Sequence, residues 1–389
     1  MDLHIAKLVE IIAITGTATG SAYNFLCLWS AVGFLREKKI PLAGRDPVPL
    51  PISLLKPLKG TDPRMYASFR SYCLQDYPQY EIIFGVSDAA DPAIRLVEDL
   101  KEEFPQRRIE LLICEPALAT NAKVGNLAQM AAHAHYECLL VSDSDIRVAP
   151  GYLTGIMSQL QQQSIGLVTC LYRGVPASTL GSRLESIGIS TDFAPGVLVA
   201  RALENELRFG LGSTLAFRRS ELAAIGGFEA LADYLADDYQ IGKRISDLGL
   251  KVALSTEVVE TLLPPYSFAE FMRHQLRWNR TVRDSRYWGF AGLIFTFALP
   301  WVLLADLFSR GAVWAWALTC FVICLRLAVA IVVGKVVLTD DYALSFAWLI
   351  PLRDVLAVFF WAASFAGNTV LWRGERFHLR KGKLSRIRT

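Results

Sequence analysis

Charge is scarce in this sequence, and where it is missing matters more than where it is present. Only 20% of the 389 residues are charged, and Lys plus Arg exceed Asp plus Glu by three, 40 against 37. That balance leaves no basic footprint for a nucleic-acid partner. There is no internal repeat and no low-complexity tract, which excludes solenoid and repeat-array architectures. The seven cysteines contain no C-x-x-C pair, and five of them (27, 73, 114, 138 and 170) fall in segments that read as helix, strand or membrane span. Cys320 and Cys324 share a helix face inside an apolar segment. Inert thiols follow from this usage, not a disulfide framework or a zinc knuckle.

Charge is absent altogether from Ile11 to Leu35, a stretch long enough to cross a bilayer. It is too long for the apolar core of a signal peptide, and no small-residue cleavage site follows, so it reads as a retained anchor over residues 1–37. Arg36, Lys38 and Lys39 come next, which by the positive-inside rule lie in the cytoplasm and put the N-terminus outside. The C-terminal quarter, residues 287–372, is apolar again, in keeping with a mean hydropathy of +0.32. Tyr287–Ala305 is uncharged, Gly311–Leu338 carries Arg326 and Lys335, and Tyr342–Leu352 is parted from Val355–Trp372 by Arg353 and Asp354. From Trp372 onward seven Lys or Arg stand against Glu375, a net of +6 (7 − 1), so the tail 373–389 is expected in the cytoplasm. Three full spans would strand that tail outside. One segment is therefore expected to be re-entrant or interfacial, or Arg353-Asp354 to break a half-crossing from a full one.

Between the apolar ends, a proline-rich linker (38–50) leads into a domain over 51–266. Short apolar runs alternate there with helical patterns of about twelve residues. PISLLKP, YEIIFGVSD, IELLIC and ECLLVSDSD read as strands; segments opened by Pro63 and Pro92, and VGNLAQMAAHAH, read as helices. This predicts an α/β domain with a mostly parallel sheet and helices on both faces. Ligands of such sheets sit at the carboxyl ends of the strands. Lys56 and Lys59, Ser87 and Asp88, and Asp143 and Asp145 fall at three such ends.

Three constellations carry chemistry. In LLVSDSDIRV, the i, i+2 spacing of Asp143 and Asp145 puts both carboxylates on one side of an extended chain, where their repulsion calls for a cation. A hard divalent ion, Mg²⁺ or Mn²⁺, suits carboxylate oxygens and would act as a Lewis acid on a leaving diphosphate. Taken alone, D-x-D is as readily a loop cap. In LADDYQIGKRISDLG, Asp237 and Asp238 open a helix; the dipole explains one of them, and the other is spare to serve as a general base. In SFAEFMRHQLRWNRTVR, Phe268, Phe271, Met272, Gln275 and Trp278 share one side of a basic amphipathic helix over 267–286. Such a helix lies on the membrane face, from which Arg277 and Trp278 would meet a diphosphate and a lipid-borne acceptor.

The ordered motifs LLKPLKGTDP, GVSDAADPA, NAKVGNL, SDSDIRV, LADDYQIGKRISDLG and LRW resemble those of membrane-bound inverting glycosyltransferases of the GT-A fold. The chain resembles ceramide glucosyltransferases and, more closely, the bacterial hopanoid-biosynthesis glycosyltransferases related to them, over nearly its whole length. The resemblance implies that Asp88 lies near the uridine of a UDP-sugar, and that Asp143 holds the metal. Asp145 stands at a position some ceramide enzymes fill with a non-acid. It also implies that Asp238 is the base, preceded by Asp237, and that Arg277 and Trp278 close the (Gln/Arg)-x-x-Arg-Trp motif. The first place of that motif is His274 here, a departure from the family pattern. Lys56, Lys123 and Asn126 match nucleotide-side positions.

Together these features lead to an integral membrane enzyme of the bacterial inner membrane with a cytoplasmic catalytic domain. It would move a hexose, N-acetylglucosamine by the hopanoid resemblance, from a UDP-sugar to a hydroxyl of a membrane lipid. The alternatives are a ceramide glucosyltransferase using UDP-glucose, and a processive polysaccharide synthase, which needs more spans. A non-catalytic scaffold is disfavoured by the intact set of acids.

Overall fold

A computed structural model of the chain describes residues 3–38, 49–115, 119–372 and 374–387. The proline-rich linker falls almost wholly outside them. The chain divides into two compact units: Met1–Lys39, Pro176–Ala202 and Pro265–Leu371 form one, and Ile40–Val175, Leu203–Pro264 and Trp372–Thr389 the other.

The second unit is built on an eight-stranded sheet. Its strands are β1 (Ile52–Pro57), β2 (Tyr80–Val86), β3 (Arg108–Ile113), β4 (Cys138–Val141), β5 (Ile146–Arg147), β6 (Ile165–Val175), β7 (Leu215–Arg218) and β8 (Lys251–Leu262), in the order β3-β2-β1-β4-β7-β6-β8-β5. The pairs β1–β2, β2–β3, β1–β4 and β6–β8 are parallel; β4–β7, β6–β7 and β5–β8 are antiparallel. Every residue of β1, β2 and β4 is buried, which is why these strands read as unbroken apolar runs. Helices Ala93–Glu103 and Ala122–His133 pack on β1 to β3, and Tyr152–Leu160 and Asp237–Asp247 on β6 and β8. The connections from β1 run outward to β2 and β3, then back across to β4. The order therefore reverses between β1 and β4, and a crevice opens at such a switch point beyond the strand ends. Lys56 and Asp143 lie there.

The basic tail is not a free tail. Among the described residues, Glu375–Arg380 and Lys383–Arg386 pair as an antiparallel hairpin with Arg380 opposite Lys383. Its two turn residues, Lys381 and Gly382, have φ of 51° and 77°, the positive pair that a two-residue hairpin turn requires. Alternating burial puts Phe377, Leu379 and Leu384 inward. Counting charge hid this period-two pattern.

Among the described residues, the first unit holds three helices long and apolar enough to cross a membrane: His4–Glu37, Val313–Val337 and Ala347–Ser364. A bent pair, Tyr287–Thr296 and Ala298–Phe308, turns by 48° and makes a fourth if counted as one span. The N-terminal helix packs against Ala298–Phe308. A Cβ on Gly20 would lie 2.6 Å from Ala298 Cα, so a small residue sets that approach, as between membrane helices generally. Of the two arrangements the sequence left open, a break at Arg353 and Asp354 is not the one found. Helix Ile350–Ser364 runs through both, because each is buried against a partner: Asp354 accepts from Arg326, and Arg353 donates to Gln275. The seven cysteines are free thiols, five of them buried.

Candidate active site

The loop after β4 does not continue extended, so the same-side argument for Asp143 and Asp145 fails. Ile146 N donates to Asp143 O at 3.3 Å, closing a turn, and each acid meets its own partner. Asp143 Oδ1 pairs with Lys123 Nζ at 2.9 Å, and Asp145 Oδ2 accepts from Thr261 Oγ1 at 2.6 Å. Burial, and then the charge of Asp143, push the Asp145 carboxyl up against the pull of the Thr261 hydrogen bond. The repulsion between the two acids thus survives the loss of the extended geometry.

Lys56 lies wholly buried under this turn. Its Nζ donates to Asp143 O at 2.9 Å and lies 3.8 Å from the Tyr72 ring, while Tyr72 OH and Ser142 Oγ share a 2.6 Å hydrogen bond. Burial, partly offset by Asp143 and Asp145, lowers the ammonium to about 7. The lysine fixes the loop's backbone, with no side-chain contact to the aspartates.

Lys123 is the hub. Asn121 caps its helix, accepting from Lys123 N at 3.0 Å and Val124 N at 3.3 Å, and so aims the side chain inward. Nζ reaches both Asp143 and, at 3.1 Å, Asp237 Oδ2. Burial opposes the charge on Lys123, but Asp143, Asp237 and Asp238 together outweigh it and raise the group above its ordinary range. Asn121 also ties this helix to the next segment, donating to Tyr234 O at 2.7 Å and, through its backbone N, to Ala232 O at 2.8 Å. The C-terminal hairpin grips the same segment: Leu384 N donates to Asp233 O at 2.7 Å, and Leu235 N to Gly382 O at 3.0 Å.

Asp237 and Asp238 start helix Asp237–Asp247, as expected from the sequence, and they diverge. While Asp237 goes to Lys123, Asp238 Oδ2 accepts from Gly212 N at 2.9 Å. A Cβ on Gly212 would lie 3.0 Å from Asp143 Oδ2 and 3.2 Å from Asp238 Oδ2, so the two carboxylates converge on this one glycine. Burial and the charge of Asp237 push the Asp238 carboxyl up, against Lys123. Helix Asp237–Asp247 comes this close because Gly242 has no side chain. Its missing Cβ would sit 2.6 Å from Phe209 Cα. Sequence reasoning passed over Gly212 and Gly242; the GLGS stretch and a glycine inside a helix were the available signals.

Asn126 and Asp88 lie at the β2 end. Ser87 Oγ donates to Asn126 Oδ1 at 2.7 Å, so Asn126 supports this strand end. Asp88 is held in a local turn, its Oδ1 accepting from Ala90 N at 2.9 Å; among the described residues no contact draws it to the aspartates around Lys123. Asp91 is the better-bonded acid there, accepting from Gly60 N and Ala93 N.

His274, Arg277 and Trp278 belong to the membrane unit, on helix Phe268–Ser285, which a Ser267–Glu270 capping box opens. His274 stacks on Tyr266 with ring centres 5.4 Å apart, sits 5.2 Å from Trp278, and has Nδ1 3.4 Å from Glu185 Oε2. Glu185 is buried, yet its carboxyl stays low: burial raises it, and His274, Arg353 and a hydrogen bond from Gln275 outweigh that.

A cluster of three acids around one lysine, two of them converging on a backbone glycine, suits a hard divalent cation beside a phosphate and a base beside a hydroxyl. The comparisons with known proteins agree in kind. Ceramide glucosyltransferase 1 of Caenorhabditis elegans is 26% identical over 357 residues, covering 88% of this chain and 74% of the worm protein. Ceramide glucosyltransferase 3 of the same organism is 24% identical over 352 residues, with 85% and 73% covered. In fold, the chain is similar to the mannosyltransferase PcManGT of Pyrobaculum calidifontis, solved with GDP-mannose and Mn²⁺. The TM-score is 0.56 at 18% identity, over 92% of this chain and 98% of that one. The model of glycosyl transferase family 21 matches residues 12–385, taking in the apolar helices at both ends as well as the sheet. The chain therefore belongs to glycosyl transferase family 21 and is a sugar-transferring enzyme with a GT-A-like domain and membrane helices.

Proposed function

We propose that the protein transfers a hexose from a UDP-sugar to a hydroxyl of a membrane lipid with inversion. The convergence of Asp143 and Asp238 on Gly212 carries this reading. Asp238 takes the proton of the acceptor hydroxyl, whose oxygen bonds to the anomeric carbon from the face opposite the departing UDP. The raised carboxyl of Asp238 suits a base, since a proton acceptor works best with a pKa nearer the working pH. Asp143 and Asp145 are the residues that would hold Mg²⁺ or Mn²⁺, and that ion would supply charge neutralisation for the leaving diphosphate. Lys123 pairs with Asp143 and Asp237 and holds both in place. Asp88 and Asn126 line the uridine side, and Arg277, Trp278 and His274 serve the diphosphate and acceptor.

For the acceptor, the motif resemblance favours a hopanoid polyol receiving N-acetylglucosamine. The relatives named as ceramide glucosyltransferases favour a second reading, ceramide receiving glucose. The basic residues after the first span and around the C-terminal hairpin support a catalytic domain on the cytoplasmic face of a bacterial inner membrane. Mass spectrometry of lipids from a host with and without the gene decides the acceptor. Purified Asp238→Asn protein that kept full turnover would end the base assignment, and turnover unchanged in excess EDTA would end the metal.

A further inference from the structure

The membrane unit buries a cluster of charged side chains, Arg326, Arg353 and Asp354. Helix Leu180–Gly188 passes into a π-helical turn, Ile189–Phe193, a local geometry that clusters at functional sites. The turn carries Asp192. Arg326 is fully committed: it donates to Asp192 Oδ1 at 2.8 Å, to Thr191 O at 3.0 Å, and to both oxygens of Asp354 at 2.6 and 2.9 Å. Arg353 is not. Its Nη2 donates to Gln275 Oε1 at 2.9 Å and stands 3.7 Å from Asp192 Oδ2. Its Nε and Nη1, and Asp192 Oδ2, have no hydrogen-bond partner among the described residues, although the Arg353 side chain is only 9% exposed. Gly188 gives the guanidinium its room: a Cβ there would lie 2.9 Å from Arg353 Nη2.

Unused donors beside an unused acceptor match a hydroxyl, which donates to Asp192 and accepts from Arg353. Arg326 and Arg353 face Asp192, Asp354 and Glu185, so the cluster carries no net positive charge and favours a neutral head group over a phosphate. Arg326 also lines a cavity of about 210 Å³, whose other walls include Leu299, Ile323, Leu327, Trp348 and Pro351. That space fits a hydrocarbon segment, and the polar pair adjoins it through Arg326. The next residue after Asp192, Phe193, lies 6.1 Å from the Trp278 ring. Ionisable groups within membrane helices ordinarily mark such substrate sites.

We propose that Asp192 and Arg353 hold the hydroxyl-bearing end of a neutral membrane lipid, whose hydrocarbon occupies the cavity beside Arg326. This is the acceptor site, an assignment that rests on the lipid-glycosyltransferase reading. The test uses the full chain in phosphatidylcholine nanodiscs and two photoreactive probes, a short-chain ceramide and a hopanoid polyol. At least one should label the wild type, and unlabelled lipid should compete at least about ten times better than its O-methylated analogue. Asp192→Asn removes a charged acceptor at constant size, and Ile323→Trp fills the cavity without touching the ion pairs; each should lower labelling by about tenfold or more. Labelling by neither probe, labelling retained in either variant, or equal competition by the methylated lipid would overturn the site. Transfer from UDP-sugars is read separately. A wild type that labels as expected but moves no sugar would sink the transferase reading and leave the lipid site standing.

Discussion

Replacing Gly242 by alanine should damage catalysis far more than folding. The residue lies one turn beyond Asp238 on helix Asp237–Asp247, and a Cβ there would sit 2.6 Å from Phe209 Cα, closer still to the peptide that follows it. Those are backbone atoms, which cannot swing aside, and carbon contacts settle at about 3.5–4.0 Å, so helix and loop must part by roughly 1 Å. Overpacking of this kind costs about 1–3 kcal/mol, offset by about 1 kcal/mol from alanine's better helix propensity, which leaves a modest net destabilisation. Nothing offsets the geometry. The same displacement separates Asp238 Oδ2 from Gly212 N, now 2.9 Å apart, and pulls Asp238, the proposed base, away from Asp143. A misplacement of about 1 Å can cost around 100-fold in turnover. The assay is kcat for UDP-sugar-dependent lipid glycosylation in nanodiscs, with a thermal melt alongside. Gly151→Ala is the control, since a Cβ there meets nothing within 4 Å. A Gly242→Ala enzyme with kcat within about threefold of wild type would refute the reasoning.

Four further outcomes follow from the same geometry. Activity that needs the Asp238 carboxylate should fall as pH drops through about 6, the value to which burial and then Asp237 push it. Asp237→Asn removes the second cause, so the acid limb of kcat/KM should move to lower pH, and an unmoved limb would contradict this. Lys56→Met should leave the melting temperature unchanged or higher, because a buried charge is replaced by a chain of similar volume, while kcat/KM for the donor falls about tenfold as Asp143 O loses its donor. Asp354→Asn strips one partner from Arg326 in a buried network and should destabilise by about 3 kcal/mol, seen in thermal unfolding. Deleting residues 374–389 removes the two backbone hydrogen bonds that clamp Asp233 and Leu235, and should lower kcat with the membrane helices still folded by circular dichroism.

The sequence by itself determined the elements whose signal is local. Unbroken apolar runs specified β1, β2 and β4, since a strand buried on both faces has no polar side to show. The uncharged stretch Ile11–Leu35 specified the first membrane helix, and adjacent acids marked the start of helix Asp237–Asp247. The aspartates were legible as candidates because charge at the end of an apolar strand is costly and so calls for a reason. Tertiary structure alone decided which groups they pair with. Lys123 bridges Asp143 and Asp237 across 114 residues (237 − 123), and no local pattern encodes that pairing. Gly212 and Gly242 matter for atoms they lack, which becomes visible only when a carboxylate or a backbone arrives from elsewhere. The antiparallel insertion of β7 beside β4, and the docking of the basic hairpin on the Asp233 segment, are likewise long-range choices. Arg353 and Asp354 make the point most directly. In sequence they are two charges that should end a membrane segment; in the fold their partners on other helices let the segment continue.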